Sequence, residues 1–261
     1  MIPLLLILLG LVLGSFVNAL VWRLREGRDW VNDRSECTHC HHKLAPLDLI
    51  PVFSWLYLRG KCRYCHKKID DTPLTELVLP ALFIVSYAYW PFALQGIRTF
   101  EFALWLVFLV GFLALAVYDL RWFLLPDKLI FPLAGLAGAQ VIILSGWQRD
   151  WRLLLTAAGG VAVLSGLFYL LFQVSKGTWI GGGDVKLGLV LGLLCGGVLP
   201  AFLVIFVASI VGMVTALPKI ITGKATRKME LPFGPLLIIG LIVVKLFGAA
   251  IIGWYTGLFY A

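Results

Sequence analysis

The sequence predicts an all-α integral membrane protein: a polytopic bundle of about eight transmembrane helices with a small zinc-binding cytoplasmic loop. Three observations carry this reading. First, the 261 residues are 61% hydrophobic and only 14% charged, with a mean hydropathy of +0.94. A soluble domain carries about 25% charged residues, so this chain lacks the polar groups to cover a water-facing surface. Second, apolar segments recur at roughly 2–22, 74–93, 100–118, 128–146, 153–173, 185–197, 199–218 and 233–258. Most of them reach the ~17–25 residues that a spanning helix needs. Third, one polar stretch stands apart. Residues 23–73 hold all four histidines, four of the five cysteines and 17 of the 36 charged residues.

The first segment, residues 1–22, has no basic residue ahead of its apolar core and no small-x-small cleavage site, so it reads as a retained span and not as a signal peptide. Its arginines, Arg23, Arg25 and Arg28, follow it. This places the N-terminus outside and residue 23 inside. Alternating from there, the inner connections 23–73, 119–128, 174–186 and 219–230 hold 18 of the 22 Lys and Arg residues. Retention of positive charge on the cytoplasmic side, together with contacts to lipid headgroups, accounts for the net charge of +8 without nucleic acid.

The insert at 23–73 is too short for an ordinary hydrophobic core and needs another fastening. It contains "CTHC" (Cys37, Cys40) and "CRYC" (Cys62, Cys65), with 21 residues between the pairs. Two such thiolate pairs suit a tetrahedral zinc ion. A structural disulfide seldom persists in the cytoplasm, and zinc would supply the missing folding energy. A redox pair is the rival reading, but no βαβ pattern surrounds either pair. Four thiolates leave no open position for water, so the metal is structural. The histidines at 39, 41, 42 and 66 read as solvated or supporting groups. The insert ends in "DDTPLTE", with Thr72 as N-cap of the next helix, Pro73 in its first turn and Glu76 nearby.

The remaining span, residues 74–261, reads as the transmembrane bundle that carries the chemistry. The segment 185–197 is short and Gly-rich, hence a broken or tilted span. Cys195 reads as a small packing residue. Lys245 faces either the bundle interior or an interface. Gly14, Asn18 and Arg23 read as packing or lipid-contacting residues. No internal repeat and no low-complexity linker is expected.

Two acids draw attention. Asp119, in "YDLRWFLLPDKL", follows the third span, and Asp184, in "WIGGGDVKLG", opens the sixth. In the layout above both lie at the cytoplasmic face, at the same depth. Two carboxyl groups brought close share a proton. One then takes a proton from water while the other gives one to a carbonyl oxygen, which is aspartyl protease chemistry without a metal. Gly181, Gly182 and Gly183 would let a peptide substrate lie against the backbone beside Asp184. The competing reading is a flexible turn with Asp184 as an N-cap. A phosphate-binding loop fits poorly, because no Gly-Lys-Ser/Thr ending is present. Asp127 is a substitute candidate for Asp119, and after Pro126 it also suits an N-cap. Asp127, Glu230 and the Asp70–Asp71 pair are the other acids near the membrane.

At this point the chain resembles the bacterial type IV prepilin leader peptidases, membrane aspartyl proteases that process pilin and pseudopilin precursors. "GSFVNALVWRL" from Gly14 is similar to the family's opening motif, with Ala19 where Val is more usual. The two Cys-x-x-Cys pairs match its cytoplasmic loop. "YDLRWFLLPDKL" and "GGGDVKLG" resemble its two aspartate motifs. "LPFGPLLIIG" from Leu231 resembles a C-terminal motif usually written with Phe where Leu236 stands. The resemblance implies Asp119 and Asp184 as the catalytic pair and makes Asp127 a neighbour. It implies removal of a short basic leader, commonly just after glycine, at the cytoplasmic face of the bacterial inner membrane. It also implies N-methylation of the new N-terminus with S-adenosylmethionine, since the cytoplasmic loop accompanies the bifunctional members.

Two other classes compete with an enzyme. A proton-coupled transporter would use Asp119 and Asp184 as relays, but such sites lie near the bilayer midplane. A non-catalytic zinc-loop scaffold would need neither acid. Alanine at each aspartate separates the three readings through precursor cleavage, solute uptake or no change.

Overall fold

A computed structural model describes residues 1–30, 32–69, 71–222 and 231–260. In chain order its elements are α1 (Ile2–Glu26), a 3-10 turn (Pro46–Leu49), α2 (Phe53–Tyr57), α3 (Leu74–Ala88), α4 (Ile97–Trp122) and α5 (Asp127–Gln148). Then come α6 (Arg152–Val161), a π-helical turn (Ala162–Gly166), α7 (Leu167–Ser175), α8 (Gly182–Cys195), α9 (Val198–Ile221) and α10 (Phe233–Tyr260). Among the described residues there is no β-strand, only two isolated bridges.

All eight apolar segments coincide with helices, but they are not all full spans. Six are long and apolar enough to cross a membrane: α1, α4, α5, the continuous run Arg152–Ser175, α9 and α10. The other two are α3, with 15 residues, and α8, with 14. At 1.5 Å per residue α8 is about 21 Å long, against a hydrocarbon core of about 30 Å. It ends at Gly196 in the left-handed region (φ 88°), and Gly197 (φ 145°) leads into α9.

The described chain divides into two compact units, residues 1–90 with 103–114 and residues 91–102 with 115–261. In the first unit α1 packs on α3 through the "GLVLG" stretch. A Cβ on Gly10 would lie 2.5 Å from the Cα of Pro80, and one on Gly14 would lie 2.7 Å from the Cα of Glu76. Glycines four apart let two helix backbones meet this closely inside lipid. Val17, Val21, Leu79 and Phe83 are fully buried, as are Phe108 and Phe112 from the middle of α4. The indole of Trp105 donates to Ser86 Oγ at 3.0 Å. The N-cap of α3 is Pro73, one residue later than predicted. Thr72 instead offers its carbonyl to Asn18 Nδ2 at 3.3 Å, and Glu76 takes the Val52 amide at 2.6 Å.

The insert contains a repeat that the sequence reading did not expect. "SECTHCHHKL" from Ser35 and "GKCRYCHKKI" from Gly60 fold alike, 25 residues apart. In each copy the amide two residues after the first cysteine faces its sulfur: His39 at 3.5 Å and Tyr64 at 3.4 Å. His41 and His66 follow the second cysteines with φ of 54° and 56°. Their amides return to the carbonyls of Cys37 and Cys62 at 2.9 and 3.0 Å. The matching bridges Glu36–Lys43 and Lys61–Lys68 close each loop.

In the second unit α8 packs against α5, α6, the π turn, α7 and α10. Its glycines form the seam: a Cβ on Gly188 would lie 2.7 Å from the Leu164 carbonyl oxygen, and one on Gly192 would lie 2.6 Å from the Cα of Val161. Ser165, inside the π turn, donates to the Val185 carbonyl at 2.9 Å. Lys245 proves to point inward. Its Nζ lies 3.0 Å from Glu101 Oε1, while Arg98 holds Glu101 Oε2 at 2.7 Å. Cys195 is buried and packs beside Gly160, as a small packing residue would.

Candidate active site and metal centre

Asp119 sits one turn before the end of α4 and is only 6% exposed. The helix stops because Phe123 turns left-handed (φ 54°), its amide returning to the Asp119 carbonyl at 2.8 Å. The Gly234 amide, at the start of α10, faces the Asp119 carboxyl. A Cβ at Gly234 would lie 2.8 Å from Asp119 Oδ2, so only glycine allows this approach.

Asp184 lies in the first turn of α8, whose N-cap is Gly181. Asp184 is thus the third helical residue and not the N-cap. Its carboxyl turns back toward the Gly181 amide, which is half of a capping box. The structure brings the two aspartates together, close enough for the charge of Asp119 to act on Asp184. Leu125 fills the space beside them. Its side chain would lie 3.0 Å from a Cβ on Gly183 and 3.5 Å from one on Gly234.

The three glycines differ in place. Gly181 is exposed and extended, whereas Gly182 and Gly183 are the first two residues of α8. The stretch is therefore a helix start and not a flexible turn. Asp127 stands apart from the pair. It is the first residue of α5, after the N-cap Pro126, and both its oxygens bind Lys186 Nζ, at 2.7 and 2.9 Å. Gly234 and Lys186 were not singled out from the sequence. The signals were there, in the quoted "LPFGPLLIIG" and "GGGDVKLG" stretches. Of the other acids considered near the membrane, Asp70 and Glu230 lie outside the described residues.

The four cysteines of the insert converge. Their sulfurs all lie within 4.8 Å of one another, and Cys37 Sγ is 3.8 Å from Cys65 Sγ. A zinc ion with Zn–S bonds of ~2.3 Å separates tetrahedral sulfurs by about 3.8 Å. None is in a disulfide. The cluster can hold a metal ion, and its donor set suits zinc. The histidines are all exposed, with the His42 ring tilted by 35° against Tyr64 at 3.7 Å between centroids.

Fold and site together define a multi-pass helical membrane protein with two neighbouring carboxyl groups, Asp119 and Asp184, and a four-thiol cluster that can hold a metal ion. Comparison with known proteins gives the family. The bacterial peptidase A24 N-terminal domain matches residues 8–90, which include the four cysteines. The type IV leader peptidase family matches residues 106–217, which include Asp119 and Asp184. A prepilin leader peptidase/N-methyltransferase of Bacillus subtilis is 33% identical over 256 residues, covering 96% of each chain. Proteins of the same name from Xanthomonas campestris and Aeromonas hydrophila are 32% and 31% identical, each over 95% of this chain and over 92% and 91% of their own. No solved structure matches. The chain belongs to the type IV leader peptidase family, and it is a bacterial multi-pass membrane protein.

Proposed function

We propose that this chain is an aspartyl endopeptidase that removes the short basic leader from type IV prepilins or pseudopilins at the cytoplasmic face of the inner membrane. The observation that carries this reading is the convergence of Asp119 and Asp184, from distant segments, inside the part of the chain that matches the leader peptidase family. One carboxylate takes a proton from water, and the water oxygen attacks the scissile carbonyl carbon. The other carboxyl gives its proton to the carbonyl oxygen. The tetrahedral species then breaks its C–N bond: the leaving amine takes up the proton drawn from water, and one hydroxyl of the intermediate returns a proton to the second carboxylate, which leaves a carboxylic acid product and restores the shared proton. No metal enters these steps. The Gly234 and Gly181 amides hold the two carboxyls in place, and exposed Gly181 offers backbone against which a peptide can lie.

Replacing Asp119 or Asp184 by Asn removes the shared proton while keeping the shape. Each change should lower precursor processing by about 10⁴-fold or more, in line with other sites whose groups act as a unit. Asp127→Asn should retain processing within a few-fold, because it breaks only an exposed ion pair worth about 0–1 kcal/mol. The measurement is leader removal from a purified precursor in detergent. Wild-type cleavage by Asp119→Asn would overturn the assignment.

The same protein is proposed to N-methylate the newly exposed N-terminus with S-adenosylmethionine. Support comes from the names of its relatives and from the metal-centred insert. The donor supplies an electrophilic methyl group to a neutral amine. Cys37, Cys40, Cys62 and Cys65 are assigned to a structural zinc that folds this insert.

A further inference from the structure

We propose that the outward face of residues 46–57 of the insert is seated in the lipid surface, with acyl chains against Leu47, Phe53, Leu56 and Tyr57 and anionic headgroups at Arg59 and Lys61. The starting observation is a helix turned the wrong way for water. In α2, Phe53, Leu56 and Tyr57 stand at i, i+3 and i+4, on one side of the helix, and they are 69%, 59% and 79% exposed. α2 packs on the 3-10 turn before it, where Leu47 and Ile50 are also exposed. Asp48 is the one acid between residues 46 and 69, and it turns inward: its side chain is 2% exposed, and its Oδ1 accepts from Arg63 Nε at 2.6 Å. An apolar face of this kind, with no acid on it, marks a surface that meets something other than water.

Its depth selects lipid. α3 starts late: the Thr72 carbonyl just before it meets Asn18 of α1, and α1 runs on from Asn18 to Glu26, about 12 Å at 1.5 Å per residue. The apolar run of α1 reaches Trp22 before its first cation, Arg23. Trp55 and Leu58 line one cavity with Asn18, Ala19 and Trp22. The inner side of α2 is therefore level with apolar residues of α1, and its opposite side looks outward at that depth. A γ-turn of the rare positive-φ kind ties the stretch down. Val52 has φ 62°, and the Phe53 amide returns to the Pro51 carbonyl at 2.6 Å. The Val52 amide donates to Glu76 Oε2, in the first turn of α3, at 2.6 Å. Leu74 and Leu77, on either side of Glu76, are exposed, so the face continues the apolar outer surface of α3. Arg59 and Lys61 follow it, both exposed. Aromatic rings at the boundary with cations beside them compose an interfacial segment. The same two cations would repel a basic leader. This inference is independent of the chemistry at Asp119 and Asp184.

The test uses the full zinc-loaded protein in nanodiscs of phosphatidylcholine and phosphatidylglycerol, with the photo-crosslinker benzoylphenylalanine in place of Phe53 or of Tyr57. Intact mass after irradiation reads lipid adducts. The same probe in place of Leu77 gives the level for a lipid-facing helix, and in place of exposed Lys67, in the second cysteine loop, the level for water. Adducts at positions 53 and 57 should approach the Leu77 level, with background at Lys67. With Arg59→Gln and Lys61→Gln, the preference for phosphatidylglycerol over phosphatidylcholine should fall by about 5-fold per charge, the ratio for roughly 1 kcal/mol. If one probe position costs the protein its zinc, the other decides. Background adducts at both positions, in protein that keeps its zinc, overturn the proposal. An unchanged headgroup preference overturns the role of Arg59 and Lys61. Adducts to a second copy of the chain, or to an added precursor in place of lipid, give the face to that partner and overturn the proposal.

Discussion

Gly234 shows how a residue without a side chain can complete an acid site. Its amide faces Asp119, and its missing Cβ is what lets the carboxyl reach it. Gly234→Ala would place a methyl 2.8 Å from Asp119 Oδ2 and about as far as ordinary contact from Leu125. The carboxyl must then rotate, and a displacement near 1 Å costs a reaction on the order of 10²-fold. We expect Gly234→Ala to lose about that much cleavage while zinc content and expression stay normal. Full activity in a leader-removal assay would show that the amide contact is dispensable. This residue was hidden in the sequence for a physical reason. A glycine announces nothing about its partner, and 115 positions separate Gly234 from Asp119. The aspartates themselves stood out in the sequence, because charge is expensive beside lipid and the alternating layout put both acids at the same membrane face. The partner of Asp127 was less legible, since only the fold brings Lys186 to it.

At the level of elements, the insert depends on its two matched loops. Neither loop buries enough apolar surface to hold itself, and each presents two sulfurs to the other. One metal ion at this cluster would therefore fasten both, with an apparent binding energy of roughly 10–16 kcal/mol in comparable small zinc modules. Replacing Cys37 and Cys40 together by Ser should drop metal content from about one zinc per chain to none. The loss should speed amide hydrogen exchange in the insert between α1 and α3. Leader cleavage should persist in part, because Asp119 and Asp184 belong to the other unit. A rigid insert in metal-free protein, read by the same exchange experiment, would refute the fastening. The spacing of the thiols was plain in the sequence, and the repeat around them was also printed there, since Cys, Cys, His and Lys recur at the same offsets. Its flanks differ enough to obscure it. The number of full spans was less legible. Hydropathy reports which helices avoid water, and α3 and α8 avoid it by packing along glycine-lined contacts as well as by facing lipid.

For the molecule as a whole, the strongest constraint is charge, not packing. Of its 22 Lys and Arg residues, 18 fall on alternate connections that one orientation places together. Basic loops resist translocation, so the orientation proposed from this charge pattern would set the N-terminus outside and the insert inside. The exceptions fit. Arg98 and Lys245 are held by Glu101, which is 3% exposed, so their charges are partly matched within the bundle. In that orientation Asp119 near the end of α4 and Asp184 at the start of α8 would both lie at the cytoplasmic end. A precursor that leaves its basic leader in the cytoplasm and its apolar helix in the bilayer would present its cleavage site there. Anionic lipid would draw such a leader inward at about 1 kcal/mol per charge. The orientation can be read directly. Asp150 and Thr178 are both exposed in connections on opposite sides of the Arg152–Ser175 run. In intact cells, a membrane-impermeant maleimide should label Asp150→Cys and leave Thr178→Cys unlabelled, with both labelled after permeabilisation. In intact cells the five native cysteines give no background in this layout, since the insert's four would lie inside and Cys195 is buried; after permeabilisation the unsubstituted protein measures the background from exposed Cys40. The reverse labelling pattern would move the aspartates to the outer face and remove the proposed route by which a cytoplasmic leader reaches them.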